Sequence, residues 1–113
     1  MHELSIVQSI IEIATREAEN ASARQVERIE LEIGTLSGIE MNSFWFAWQH
    51  ARQGSVLEHC EADISQPGGQ ATCLLCNQQY PIAHYTEPCP NCGSHFIDIT
   101  QGKELRVKSI TIS

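Results

Sequence analysis

Two short cysteine pairs, Cys73-Leu74-Leu75-Cys76 and Cys89-Pro90-Asn91-Cys92, constrain this chain more than any other feature. Two residues between thiols let each pair wrap one turn around a single ion, and the pairs together supply four soft donors for a tetrahedral metal. The twelve residues 77–88 are enough for a short hairpin joining the two turns. An ion held by four thiolates keeps no open position for water or substrate, so the spacing predicts a structural zinc that staples a small lobe. The function must lie partly elsewhere.

A chain of 113 residues fits one small domain plus a metal-dependent lobe, because a segment too short to build its own core commonly uses a metal instead. The start, Met1-His2-Glu3-Leu4-Ser5, carries an acid, has no Lys or Arg before Arg16 and opens no unbroken apolar run. Neither a secretory signal nor a membrane span is therefore expected. The sequence reads as cytoplasmic, where thiols stay reduced and paired CxxC motifs bind metal rather than form disulfides. The fifth cysteine, Cys60, is then a free thiol. The formal charge is −7, and four thiolates around one divalent ion would bring it to about −9. From Gln70 to Gln101 there is no Lys or Arg. Nothing in that stretch can neutralise phosphates, which excludes nucleic acid as a partner.

Periodicity places the motifs. Leu4, Val7, Ile11, Ala14 and Ala18, flanked by Ile6, Ile10 and Ile13, recur at steps of three and four and predict a helix to about Ala21 with a wide apolar stripe. Val26 to Gly34 alternates, with Ile29, Leu31 and Ile33 on one face and Arg28, Glu30 and Glu32 on the other, as a strand with one wet face does. Met41, Phe44, Trp45, Trp48 and Ala51 share a face of a second helix reaching to about Gln53, with Gly54 just past its end. That aromatic cluster reads as core packing rather than a ligand box. Val56 to Ile64 predicts a second strand that buries Cys60, and Leu105 to Ile112 a last one. Pro67-Gly68-Gly69 reads as a hinge, and Gly102 as the way back. The expected architecture is α+β: two helices on a small three-stranded sheet, with an inserted zinc-ribbon-like lobe. Residues 1–67 with 102–113 would form one domain and 68–101 the zinc-binding one.

The amino terminus offers a second donor set. A large second residue normally prevents removal of the initiator methionine, so the free amine is that of Met1. This amine, the amide nitrogen of His2 and its imidazole close adjacent chelate rings, and the amide of Glu3 or a carboxylate completes a square. Square-planar nitrogen and oxygen donors suit Ni(II) or Cu(II). By itself a histidine at position 2 is equally a solvated terminal residue.

The start Met-His-Glu-Leu-Ser, a helix, a strand ending Ile-Gly, Gly38-Ile39-Glu40-Met41 before an aromatic-rich helix, Gly54-Ser55-Val56-Leu57 and the two CxxC pairs resemble the HypA/HybF family of hydrogenase maturation nickel chaperones over essentially the full length. The resemblance implies that His2 is the essential nickel ligand, aided by the first backbone groups and Glu3. It also implies that Cys73, Cys76, Cys89 and Cys92 hold structural zinc. An acid at the place of Glu40 has been implicated near nickel in relatives, while a carboxylate at a helix start is also stabilised by the helix dipole. The implied function is a non-enzymatic metallochaperone that passes Ni(II) to the large-subunit precursor of nickel-iron hydrogenase, with a HypB-type GTPase as second partner. His50 and His59 read as surface residues. His84 and His95 stand nearest the thiolates and could replace one when acid protonates it. Two other classes compete: an iron electron carrier, since Cys89-Pro90-Asn91-Cys92-Gly93 resembles a rubredoxin knuckle, and a generic zinc-ribbon interaction module. No enzyme reading survives, because Cys60 has no activating neighbour in the sequence pattern.

Overall fold

A computed structural model describes residues 3–113. The element order is α1 (Glu3–Asn20), β1 (Val26–Ile33), α2 (Met41–Ala51), β2 (Glu61–Ser65), β3 (Gly69–Cys73), β4 (Gln79–Ile82), β5 (Ile97–Gln101) and β6 (Leu105–Ile112). The strands form two three-stranded sheets, in the orders β2-β1-β6 and β4-β3-β5. The fold is α+β, and two compact units divide it. One holds the residues up to Leu31 together with Ile39–Ile64 and Val107–Ser113; the other holds Glu32–Gly38 and Ser65–Arg106.

In the first unit α1 buries Val7, Ile10, Ala14 and Ala18, a stripe at helical spacing that begins one turn earlier with Glu3. The stripe is narrower than the sequence suggests. Leu4 and Ile13 are half exposed, because they project beside the buried line rather than along it. On α2 the buried positions are Phe44, Ala47 and Trp48, which sit three and four residues apart and so share one face. Trp45, expected in the core, lies about 100° round the helix from Phe44 and stays 37% exposed, its ring edge-on to that of Phe44 at 5.7 Å. Burial of Phe44 and Trp48 contributes about 1.5–3 kcal/mol each.

The second strand is shorter than its alternation predicts. Gly54 takes φ +77°, and the chain then turns three times in succession: Ser55 N–H donates to Arg52 O, Glu58 N–H to Ser55 O and Cys60 N–H to Leu57 O. Ser55 reinforces the turn by donating its hydroxyl to Arg52 O and accepting from Leu57 N–H. Local side-chain bonds of this kind compete with a sheet ladder. The strand therefore starts only at Glu61, while Leu57 and Cys60 are buried from the turn. Along β1 the outward residues are partnered as a wet face allows: Arg28 pairs with Asp63, and Glu30 accepts from Ser109 Oγ at 2.6 Å.

In the second unit β3 is central. It pairs antiparallel with β4, matching Gly69 to Ile82 and Ala71 to Tyr80, and with β5, matching Ala71 to Ile99 and Cys73 to Ile97, with a bulge between Gln70 and Ala71. Pro81 sits on edge strand β4, where a missing N–H is tolerated. Residues 77–88 thus hold one strand that returns to β3, not the internal hairpin that the spacing suggested. Pro67-Gly68-Gly69 is anchored rather than loose: Pro67 O accepts from Thr35 N–H at 3.0 Å, and Gly69 is buried in β3. Backbone approach explains some of the glycines, Gly34 and Gly69 among them. A Cβ on Gly34 would lie 2.0 Å from Gly102 O, whereas one on Gly38, at φ +82°, would meet nothing within 4 Å.

These two glycines give a ranked prediction. Gly34→Ala should lose about 3 kcal/mol or more, because rigid backbone has to move. Gly38→Ala should lose about 1–2 kcal/mol from its left-handed backbone alone. Urea unfolding checks the order, and equal midpoints would contradict it.

Candidate metal centres

The two cysteine turns are built identically. Cys73 N–H donates to Gln78 O at 2.9 Å and Asn77 N–H to Cys73 O at 2.9 Å; Cys89 N–H donates to Ser94 O at 2.8 Å and Gly93 N–H to Cys89 O at 2.8 Å. The residue after each second cysteine is left-handed, Asn77 at φ 62° and Gly93 at φ 75°. Asn and Gly enter that region most cheaply. The turn is therefore specified by six residues, not by the cysteines alone.

This geometry gathers all four thiols. Their sulphurs lie within 4.8 Å of one another, with Cys73 to Cys92 and Cys76 to Cys89 each at 3.6 Å. A zinc tetrathiolate with bonds of about 2.3 Å has sulphurs about 3.8 Å apart, whereas a disulfide needs about 2.05 Å. The thiols are free and spaced for one ion. Around them lies a small buried cluster of Leu36, Ala71, Tyr80 and Ile82, completed by Cys73 and Cys89. So small a core does not hold three strands unaided.

Hydrogen bonds prepare the sulphurs unequally. Cys73 Sγ accepts from Cys76 N–H at 3.5 Å, and Cys76 Sγ from the Asn91 amide at 3.5 Å. The Asn91 amide, with the Gln78 N–H, pulls the Cys76 thiol down to about 6. At Cys92 the Ser94 N–H acts in the same direction, but the neighbouring thiols push it up to about 12. Four thiolates together require the charge of an ion. No histidine belongs to this group among the described residues, and His84 and His95 are both exposed. Cys60 is buried, and burial pushes its thiol up, the behaviour of an inert packing residue.

Of the amino-terminal donor set, Met1 and His2 lie outside the described residues. Glu3 is the first one described, and it is 7% exposed, the one buried charged residue described. Its Oε2 accepts the Glu40 N–H at 3.1 Å. Glu40 in turn caps α2: Oε2 accepts Asn42 N–H, while Oε1 accepts Ser43 N–H and the Ser43 hydroxyl. The Glu40 N–H bond holds Glu3 below the usual carboxylate range, and the Asn42 and Ser43 N–H bonds do the same for Glu40. Sequence reasoning missed this link, although Glu3 stands four residues before Val7 on the buried stripe. Glu3 also lines an open groove of ≈ 480 Å³ with Leu4, Ser43, Phe46 and His50. Among the described residues the groove holds one imidazole, that of His50, whose ring lies 4.5 Å from that of Phe46.

The chain resembles known proteins over its whole length. Residues 1–112 match the family model "HypA: Hydrogenase/urease nickel incorporation, metallochaperone, hypA". The hydrogenase maturation factor HypA of Parabacteroides distasonis is 46% identical, covering 99% of this chain and 97% of the relative. That of Francisella philomiragia is 40% identical over 100% of both. The solution structure of the Ni metallochaperone HypA from Helicobacter pylori superposes with a TM-score of 0.70 at 31% identity, covering 99% of this chain and 97% of that one. A second HypA solution structure gives a TM-score of 0.73 at 30% identity.

Two predictions follow from the geometry of the thiols and carboxylates. Stripping the metal with a strong chelator should abolish amide-exchange protection in β3, β4 and β5 while leaving most of the helical circular dichroism, because α1 and α2 belong to the other core. Protection retained in β3 after complete removal would contradict this. Glu3 and Glu40 both titrate below the ordinary 4.5 when folded. They therefore contribute stability above that value and lose it as pH falls through their lowered folded values. The double variant Glu3→Gln/Glu40→Gln should show a flatter loss of stability between pH ~6 and pH ~3 than the parent. Parallel curves in denaturant titrations would show that the two carboxylates carry no such linkage.

Proposed function

Because the chain belongs to the HypA family of hydrogenase/urease nickel-incorporation metallochaperones, we propose that it collects Ni(II) at its amino terminus and uses its four cysteines only to hold a structural zinc. Membership makes it a nickel metallochaperone of hydrogenase maturation. The iron electron carrier and the generic ribbon module are not favoured. The assignment of each ion to its ligands is our reading of the donor sets.

The nickel set is the Met1 amine, the His2 amide and imidazole, and a donor from Glu3. The observation that carries the reading is the bond from Glu40 N–H to Glu3 Oε2. It ties residue 3 to the start of α2, so the chelating residues hang from a fixed point. With that carboxylate engaged, the Glu3 amide closes the square and the carboxylate works as the anchor. Glu40 would join the ion only by giving up the bonds that cap α2, and it acts here as the cap. Square-planar nitrogen donors select Ni(II) over zinc, while four soft thiolates with no open position select zinc and keep it.

Transfer requires ligands that a partner can displace one at a time, and a terminal chelate provides them. The partners are a HypB-type GTPase and the hydrogenase large-subunit precursor. Residues 68–101, the zinc-binding domain, present a surface without Lys or Arg on which the precursor docks. Among the described residues no helix is long and apolar enough to cross a membrane, and the reduced thiols suit a cytoplasmic, non-enzymatic carrier.

Calorimetric titration of Ni(II) into tag-free, zinc-loaded protein tests this. His2→Ala, and a variant with one residue added before Met1, should each lose tight nickel binding while keeping one zinc per chain. Nickel bound normally by both variants would place the ion elsewhere and overturn the reading.

A further inference from the structure

One face of α2 is turned toward the start of α1. Ser43, Phe46, Ala47 and His50 stand at steps of three and four, the spacing of a single helix face, and line the ≈ 480 Å³ groove together with Glu3 and Leu4. His50 is exposed, and among the described residues its ring nitrogens have no hydrogen-bond or ion-pair partner. Its ring contact is with Phe46, at 4.5 Å and an interplanar angle of 56°. Phe46 is itself 67% exposed, so this pair is not core packing. Side chains on a helix lean toward its N-terminus. The Phe46 contact puts the imidazole over the preceding turn of α2, on the side of Glu40 and Glu3.

The other wall of the groove is where the proposed nickel donors begin. Glu3 lines it with its carboxylate tied to the Glu40 N–H, and His2 and Met1 are joined to Glu3 directly. One residue of extended chain spans at most about 3.6 Å, so the Met1 amine is held within about two such lengths of Glu3. The unpartnered imidazole and the terminal donors therefore share one neighbourhood. A square of four donors leaves both of its faces open, and imidazole is a ligand that suits nickel. Leu4, Phe46 and Ala47 add an apolar wall, which restricts the access of water to an ion beside it.

We propose that His50 is a further nickel ligand, its imidazole approaching the amino-terminal chelate from α2 as a donor above the square. The inference rests on the terminal nickel reading given above. It gives the cargo one ligand carried on a helix, in addition to those of the chain end.

The test titrates Ni(II) by calorimetry into tag-free, zinc-loaded parent and His50→Gln, with nickel-edge X-ray absorption to count imidazoles. Glutamine is a good helix former and the position is exposed, so the variant should keep the parent's circular dichroism. The parent should carry two imidazoles on nickel and the variant one, with affinity lower by about 10-fold or more, since even groups behind a ligand are worth that much. Equal affinity, or an imidazole count that does not fall, would overturn the role of His50 while leaving the terminal chelate intact. His2→Ala run alongside separates the two readings: normal nickel binding by that variant would overturn the terminal chelate, and this inference with it.

Discussion

The charge of one cation is the interaction on which the second unit depends. Its buried cluster has six members, two of them thiol ligands, and four sulphurs crowd within 4.8 Å. Without an ion that crowding is repulsive once the thiols deprotonate; with one it becomes the strongest cross-link in the unit. The strands, the matched turns and the left-handed Asn77 and Gly93 all serve to bring sulphur to one point. An ion closed in by four thiolates is retained, which suits a structural metal rather than a cargo.

The first unit uses charge differently. The Glu3 carboxylate is buried against the Glu40 N–H, and the Glu40 carboxylate holds the first amides of α2. An unpaired buried carboxylate is costly, but here Glu3 Oε2 meets the Glu40 N–H and both Glu40 oxygens meet donors at the start of α2, where negative charge is also favoured. A carboxylate so used is an anchor for the start of α1. On the proposed assignment the two sites differ in chemistry and in permanence: four soft ligands in a closed set, and a few nitrogen donors beside an anchored carboxylate.

Much of this was legible in the sequence. The CxxC spacing located the thiol cluster, alternation located β1, and the apolar steps located both helices, because burial imposes those periods directly. What escaped came partly from local turn chemistry and partly from contacts distant in sequence. The stretch 56–60 has strand-like residues, yet Gly54 and the Ser55 hydroxyl bend it into turns. Trp45 looked like core until Ala47 took the position beside Trp48. The link from Glu3 to Glu40 spans 37 residues, and no local pattern announces it. The return of Gln79–Ile82 to β3 was likewise invisible, since a short strand does not name its partner.

The central claim is that nickel and zinc are separated by donor type. X-ray absorption at both metal edges, on protein loaded with one equivalent of each ion, measures this directly. The account predicts four sulphur neighbours at about 2.3 Å around zinc and a nickel shell of nitrogen and oxygen alone. Sulphur in the nickel shell, or nitrogen and oxygen in place of sulphur around zinc, would contradict it.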